Sequence, residues 1–223
     1  EEGETGPTVM SISRAARDSG VLVVAGSIPE LDKGRMYNTC YIFDDKGKII
    51  GKHRKMHLFD VNIPGSIVFR ESDTLTPGDS LTVIDTGFCK LGAAICYDVR
   101  FPEVFSLMVS KGAQIIAIPA AFNMTTGPLH WELLMRSRAV DNQVFIAAIS
   151  PARDENASYV AYGNSMVVGP WADIAARTGH EESILYADID LGDIEKAGRK
   201  LPVLTHKRGD IYDVLYKKDR EKS

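Results

Sequence analysis

Residues 92–103 read GAAICYDVRFPE, and this segment carries more structural information than any other part of the chain. Its small and apolar first half is typical of a buried strand that ends at Cys96. Phe101-Pro102-Glu103 predicts a helix start, because proline suits the first helical position and an acid suits the first turn. The apolar run 114–119 predicts a second buried strand. Cys96 is therefore expected at a strand-to-helix junction, where α/β proteins form binding sites.

The flanking sequence alternates between strand and helix patterns. The stretch 59–80 is polar, contains proline and is long enough to predict a functional loop. A DDKG turn at 44–47 predicts a hairpin. The pattern as a whole predicts a layered α/β fold with a mixed sheet or two sheets. The expected helices cover 8–18, 101–112, 129–142 and 191–199, and the expected strands cover 21–26, 37–43, 47–52, 81–86, 90–96, 114–119, 144–148, 163–168, 174–177 and 183–190.

Composition excludes several classes of protein. The 223 residues fit one large domain, and 26 Lys and Arg against 30 Asp and Glu give a net charge of −4. This balance argues against a nucleic-acid or anionic-membrane partner. No apolar run reaches the length of a membrane-spanning helix. Three cysteines cannot all pair, so we expect free thiols in a reducing compartment, the cytoplasm or alternatively the mitochondrion.

Cys96 has two interpretations. A thiol ahead of a helix and near Arg100 is favoured as thiolate, which suits a nucleophile. Alternatively, Cys96 is a small core residue, since free cysteine is often buried. Ala94 and Asp98 occupy the positions where an α/β-hydrolase elbow requires glycine, which argues against that fold. A nucleophile also needs a base, and the chain offers His53, His57, His130, His180 and His206.

Two further segments are rich in polar chemistry. GKHRKMHLFD, residues 51–60, is either a solvated basic edge or a segment that draws one lysine inward as a fixed positive charge. His53 and His57 could share a metal on a helix, but the β pattern predicts no metal site. FNMTTGPLHWE, residues 122–132, is expected at the same sheet edge as Cys96, where it suits a small polar ligand. Ordinary helix capping by its threonines is the alternative.

Four motifs together resemble the nitrilase superfamily of carbon–nitrogen hydrolases, and the similarity covers nearly the whole chain. They are RKMHLF at 54–59, GAAICYDVRFPE at 92–103, GPLHWE at 127–132 and RSRAVDN at 136–142. The resemblance is strongest to the omega-amidase branch, through GSIPE at 26–30, HLFD at 57–60, FN at 122–123 and SPAR at 150–153. It implies an α-β-β-α four-layer sandwich, a single domain over residues 1–223, and a Glu–Lys–Cys catalytic set that uses no metal or other cofactor.

The resemblance also implies individual roles. Lys55 matches the catalytic lysine, Cys96 the nucleophile and Glu71 a second, supporting glutamate. The backbone N–H of Tyr97 would join Lys55 in stabilising an oxyanion. The general-base glutamate of the superfamily precedes GSIPE on an earlier strand-to-helix junction, and Glu1, Glu2 and Glu4 do not match it. We therefore expect the recorded chain to lack that base together with the first strand and helix of the sandwich.

For an omega-amidase the implied reaction releases ammonia from the ω-amide of a short dicarboxylate, such as 2-oxoglutaramate or 2-oxosuccinamate, through a cysteine thioester. Candidate groups for the distal carboxylate are Thr125, Thr126, His130 and Arg100, although Arg100 could instead brace the loop after Cys96. The resemblance further implies a homodimer through the face that bears the helix after the nucleophile. The alternatives are another amidase of the superfamily, such as deaminated-glutathione amidase, and a non-catalytic, oligomeric binding member.

Overall fold

Two β-sheets form the centre of the computed structural model, which describes residues 3–63 and 67–220. The first sheet is an antiparallel meander of β1 (Val23–Asp32), β2 (Arg35–Phe43) and β3 (Ile49–Arg54). The backbone N–H of Asp44 donates to the carbonyl of Lys48 at 2.9 Å in the turn between β2 and β3. The predicted DDKG hairpin is therefore confirmed.

The part of the sequence that connects the first sheet to the second contains a small hairpin of its own. It consists of β4 (Asp60–Ile63) and β5 (Ile67–Arg70), which pair in antiparallel fashion and lead into a single helical turn over Glu71–Asp73. The predicted loop over 59–80 therefore contains two paired strands, which the polar character of the stretch did not indicate.

The second sheet has six strands: β6 (Thr82–Asp85), β7 (Lys90–Ala93), β8 (Ile115–Pro119), β9 (Phe145–Ile149), β10 (Met166–Val168) and β11 (Ile174–Arg177). Their order across the sheet is β11-β10-β9-β8-β7-β6. β7, β8 and β9 run parallel to one another, and the outer strands are antiparallel to their neighbours. The carboxyl ends of the three parallel strands therefore meet at one edge.

Helices cover the outer faces of both sheets. α1 (Pro7–Ser19) packs on the first sheet, and α2 (Pro102–Ser110) and α3 (Gly127–Asn142) pack on the second. A third apolar cluster joins the two sheets face to face. The predicted α-β-β-α sandwich is confirmed. Buried side chains at these interfaces include Val9, Ala16, Tyr41 and Phe43, then Ile42, Leu91, Ala93 and Ala117, then Phe105, Met108, Ile116, Trp131, Met135 and Ile146.

Two helices complete the chain, α4 (Gly192–Lys200) and α5 (Lys217–Arg220). No helix within the described ranges is long and apolar enough to cross a bilayer. The expected strand over 183–190 is wrong: the segment has no strand assignment, and Ile184 and Tyr186 are 78% and 82% exposed. Its alternating sequence resembles a strand, but a strand needs a hydrogen-bonding neighbour, and no described strand pairs with it.

Candidate active site

A cavity of about 510 Å³ lies where the carboxyl ends of β7, β8 and β9 face the first sheet. Both sheets and the β4–β5 hairpin contribute to its wall. A sheet edge at which parallel strands end is the expected position for a ligand site. The lining residues are Gly26, Ser27, Asn38, Lys55, Phe59, Phe69, Glu71, Ile95, Cys96, Tyr97, Arg100, Pro119, Ala120, Ala121, Phe122, Asn123, Thr126, Ile149, Ser150, Pro151 and Tyr159.

Cys96 stands on a sharp turn rather than at the end of a strand. β7 ends at Ala93, and Cys96 begins a short 3₁₀ turn with a φ of 46°, in the left-handed region that most residues avoid. Asp98 holds this turn, because its Oδ2 accepts the backbone N–H of Ile95 at 3.0 Å. The Cys96 thiol lies 3.6 Å from the carbonyl oxygen of Ala121. The turn therefore directs a partly buried thiol into the cavity.

Burial raises the pKa of the Cys96 thiol above its usual range, while the nearby charge of Lys55 opposes the rise. The negative charges of Glu71 and Asp98 add to the rise. The expectation that a helix end and Arg100 favour the thiolate is therefore wrong, because desolvation of the charged form outweighs the attraction of the nearby cation. The thiol needs a base before it can attack.

Lys55 is almost fully buried, with 2% of its side chain exposed, and forms an ion pair in the cavity wall. Its Nζ donates to Oε2 of Glu71 at 2.6 Å, and the same oxygen accepts the backbone N–H of Phe59 at 2.8 Å. The prediction that the basic segment draws one lysine inward is confirmed. An ammonium fixed in this way can stabilise negative charge that develops on a bound molecule.

Asp98 organises the wall behind Cys96. It is fully buried and accepts hydrogen bonds from His53 Nε2 at 3.1 Å, His57 Nδ1 at 2.8 Å and the His57 backbone N–H at 2.9 Å. Burial raises its pKa, but the hydrogen bonds from the two histidines dominate and hold the pKa well below its usual range. His53 and His57 therefore bind one carboxylate. No local pattern signals this contact, which joins residues 41 and 45 positions apart.

Of the four residues predicted to bind the distal carboxylate, two line the cavity and two, Thr125 and His130, do not. Arg100 and Thr126 line the cavity, and Nη1 of Arg100 lies 3.2 Å from Nδ1 of His130. Thr125 is exposed and is not part of the wall. The threonines do not cap α3 through their side chains. Asn123 Oδ1 instead accepts the backbone N–H groups of Thr125 and Thr126 and the Thr126 hydroxyl, at 2.9–3.1 Å.

Tyr159 and Asn38 also line the cavity, although no sequence pattern predicts a role for either residue. Tyr159 donates its hydroxyl to the carbonyl of Ala121 at 2.8 Å, and burial raises its pKa to about 12, so the hydroxyl stays protonated. Asn38 comes from β2, and its buried Oδ1 has no hydrogen-bond partner among the described residues. Strand register and an irregular segment bring these two residues to the cavity, and neither has a local sequence signature.

The carboxylates near the cavity are few. Within residues 3–63 and 67–220, Glu71 is the one acidic side chain in the wall. Glu4 is exposed and lies 3.9 Å from Lys52, and Glu1 and Glu2 lie outside the described residues. His180 and His206 are exposed and do not line the cavity.

Curated relatives match most of the chain. "Nitrilase homolog 2" of Dictyostelium discoideum is 54% identical over 213 residues, which are 95% of this chain and 65% of that protein. "Omega-amidase NIT2" of Bos taurus is 51% identical over 213 residues, 96% of this chain and 77% of that protein. The chain thus spans roughly two thirds to three quarters of the length of these relatives.

Solved structures share the fold. Nit3 of Saccharomyces cerevisiae, described as a member of branch 10 of the nitrilase superfamily, is 45% identical with a TM-score of 0.85, over 93% of this chain and 74% of that one. A mutant of the amidase from Nesterenkonia sp. AN1 is 26% identical with a TM-score of 0.73, over 90% and 70% of the two chains. That structure has an acetamide moiety added covalently at its active-site cysteine.

The family described as Carbon-nitrogen hydrolase matches residues 1–199. This range includes the turn at Cys96, the Lys55–Glu71 pair and the whole cavity wall. The four-layer fold and relatives with about 50% sequence identity agree with this match. This chain therefore belongs to the carbon-nitrogen hydrolase family.

Proposed function

We propose that this protein is an omega-amidase, which hydrolyses the ω-amide of a short dicarboxylate such as 2-oxoglutaramate or 2-oxosuccinamate to the acid and ammonia. The observation that carries the proposal is the convergence of Cys96 with the buried Lys55–Glu71 pair on one cavity. Identity of about 50% with proteins named omega-amidase supports this choice of reaction.

The proposed reaction starts at the thiol. Cys96 gives its proton to a carboxylate, and its sulfur attacks the carbonyl carbon of the amide. The carbonyl oxygen becomes an oxyanion, which the Lys55 ammonium and the Tyr97 backbone N–H stabilise. The C–N bond breaks, the nitrogen takes the proton from the carboxylic acid, and ammonia leaves. A thioester remains on Cys96.

The second half of the reaction regenerates the thiol. The same carboxylate removes a proton from water, whose oxygen attacks the thioester carbon. The C–S bond breaks, the sulfur recovers the proton, and the dicarboxylate leaves. Each carboxylate step needs an acceptor oxygen that is free in the resting site, and no metal or other cofactor enters the scheme.

Glu71 is poorly suited to be this base, because its Oε2 already accepts hydrogen bonds from Lys55 and Phe59. In the proposed mechanism Glu71 supports Lys55, and a separate glutamate, which the resemblance to the superfamily implies, acts as acid and base. The residues 1–223 are proposed to form one carbon–nitrogen hydrolase domain. Ammonia release that requires no additional carboxylate would contradict this part.

The distal carboxylate of the substrate is assigned to Arg100, with His130 and Thr126 as supporting groups. Arg100 lines the cavity and forms no ion pair with a described carboxylate within 4 Å, so its charge is available to an anion. Thr125 has no part in this assignment, since its side chain is exposed.

The decisive experiment measures ammonia release from 2-oxoglutaramate and 2-oxosuccinamate by the intact purified protein. We expect the Cys96→Ala variant to lose activity by about a thousandfold or more, because no other group can form the thioester. Cys89→Ala is the matched control, since Cys89 is buried outside the cavity wall. Equal turnover by Cys96→Ala and the parent would refute the proposal. A clear preference for deaminated glutathione as substrate would show that the protein is a deaminated-glutathione amidase instead.

A non-catalytic binding function is the second candidate. The raised pKa of Cys96 and the single, already paired carboxylate in the described wall favour it. An electrophilic amide analogue followed by intact-mass measurement separates the two. Selective addition to Cys96 supports the amidase, and no addition to the intact protein supports the binding function.

We also infer a homodimer located in the cytoplasm, with the mitochondrion as the alternative. Support for the dimer comes from two exposed apolar side chains on α3, the helix that contacts α2: Leu129 and Leu133 are 69% and 61% exposed. All three cysteines are free, which is consistent with a reducing compartment.

A further inference from the structure

Asn38 lines the cavity and carries a buried acceptor. Its Oδ1 has no hydrogen-bond partner among the described residues, although the residue lines the same cavity as Cys96. A buried carbonyl oxygen without a partner is unfavourable, so a ligand that supplies a donor at this point gains affinity. The other cavity-lining asparagine, Asn123, differs in this respect, because its Oδ1 already accepts three hydrogen bonds.

The strand register places Asn38 directly beside Lys55. Thr39 of β2 pairs with Arg54 of β3, and the backbone N–H of Lys55 donates to the carbonyl of Asn38 at 2.8 Å. Side chains alternate between the faces of a sheet, and Thr39 and Arg54 both bind Glu30 on the opposite face. Asn38 and Lys55 are therefore cross-strand neighbours on the cavity face, with Cβ atoms about 5 Å apart.

This pair combines a donor with an acceptor. The Lys55 ammonium donates hydrogen bonds, and the Asn38 side-chain carbonyl accepts one. A primary carboxamide has the complementary arrangement, because its acceptor oxygen and its N–H donor are bound to the same carbon. An ester has the same acceptor oxygen but no N–H donor. The arrangement thus matches an amide better than an ester or an acid.

We propose that the side-chain carbonyl of Asn38 accepts an N–H from the scissile carboxamide and thereby selects amides over esters. The inference rests on the proposed amidase function and adds a specificity-determining residue to it. A site that hydrogen-bonds a substrate N–H discriminates strongly against an analogue without that group, because the buried acceptor then stays unpaired.

The test compares kcat/KM for an ω-amide with kcat/KM for the ω-methyl ester of the same dicarboxylate. In Asn38→Leu, which has a similar shape and no acceptor, we expect amide hydrolysis to fall about tenfold to a hundredfold and ester hydrolysis to stay within about threefold. Asn38→Asp retains an acceptor oxygen, so it should keep the amide preference of the parent even if both rates change. Asn156→Leu, at an exposed position outside the wall, is the matched control.

Partial misfolding does not change the ratio of the two kcat/KM values, since loss of folded protein lowers both rates equally. An equal loss on amide and ester, or no loss on either, would overturn the role of Asn38 while leaving the amidase proposal intact. A parent protein that hydrolyses neither substrate would overturn the proposed function, and the role of Asn38 with it.

Discussion

The charge of Lys55 acts on the Cys96 thiol. Burial raises the pKa of the Cys96 thiol, and the positive charge of Lys55 limits that rise. Lys55 in turn is held by Glu71 at 2.6 Å. The resting thiol is therefore protonated, which agrees with a reaction that starts by proton transfer rather than with a preformed thiolate.

Removing the charge of Lys55 should make the Cys96 thiol less acidic. In Lys55→Met the cation is absent and Glu71 remains nearby, so we expect the pH profile for iodoacetamide modification of Cys96 to move to higher pH. Mass spectrometry of the Cys96 peptide gives the rate at each pH. Lys46→Met, an exposed substitution on the β2–β3 turn, should leave the profile unchanged. An identical profile in Lys55→Met would show that its charge does not reach the thiol.

At the scale of elements, Glu30 joins all three strands of the first sheet. This carboxylate on β1 is 1% exposed and accepts hydrogen bonds from Thr39 on β2 and from Lys52 and Arg54 on β3, at 2.6–2.9 Å. Burial raises its pKa, but the hydrogen bonds from Arg54, Thr39 and Lys52 dominate and lower the pKa to about 2. The network fixes the register that places Asn38 beside Lys55.

Because Glu30 titrates at low pH, the free energy of unfolding should decrease in acid. Its folded pKa lies below the ordinary value of 4.5, so its contribution is complete above about pH 4.5 and is lost as the pH falls toward 2. That contribution is roughly 3 kcal/mol at neutral pH. Urea unfolding between pH 2 and 7 should show a shallower acid limb for Glu30→Gln than for the parent. Glu195→Gln, at an exposed position on α4, should keep the parent's slope. Parallel curves for Glu30→Gln and the parent would contradict the assignment.

At the scale of the whole molecule, α3 exposes several large apolar side chains. Leu129, Leu133 and Val140 are exposed on one side of this helix. If this surface forms the proposed homodimer, Leu133→Lys should convert the dimer into a monomer, because a charge would be buried in the interface. Sedimentation velocity on the parent and on Leu133→Lys measures the change. Arg136→Lys, on the same helix and without a change in charge, is the control, and an unchanged mass in Leu133→Lys would exclude this surface.

Local patterns predicted much of this molecule, and the failures have a common cause. The junction that carries Cys96 and the inward lysine follow from short segments whose apolar and polar residues are adjacent in sequence, although the strand before Cys96 ends three residues earlier than predicted. Asn38, Tyr159 and the contacts of Asp98 depend on strand register and on separations of about 40 residues, which periodicity does not encode. The segment 183–190 failed for the same reason, since alternation describes a strand but not its partner.

The left-handed backbone at Cys96 has a consequence for mutational scanning of this protein. Its φ of 46° disfavours β-branched side chains whatever their chemistry. Valine, isoleucine and threonine at this position would therefore distort the turn that Asp98 holds, in addition to removing the thiol. Two independent requirements, one conformational and one chemical, restrict the same position. Intolerance of bulky replacements at residue 96 is consequently no measure of nucleophilicity, and only small unbranched replacements separate the two.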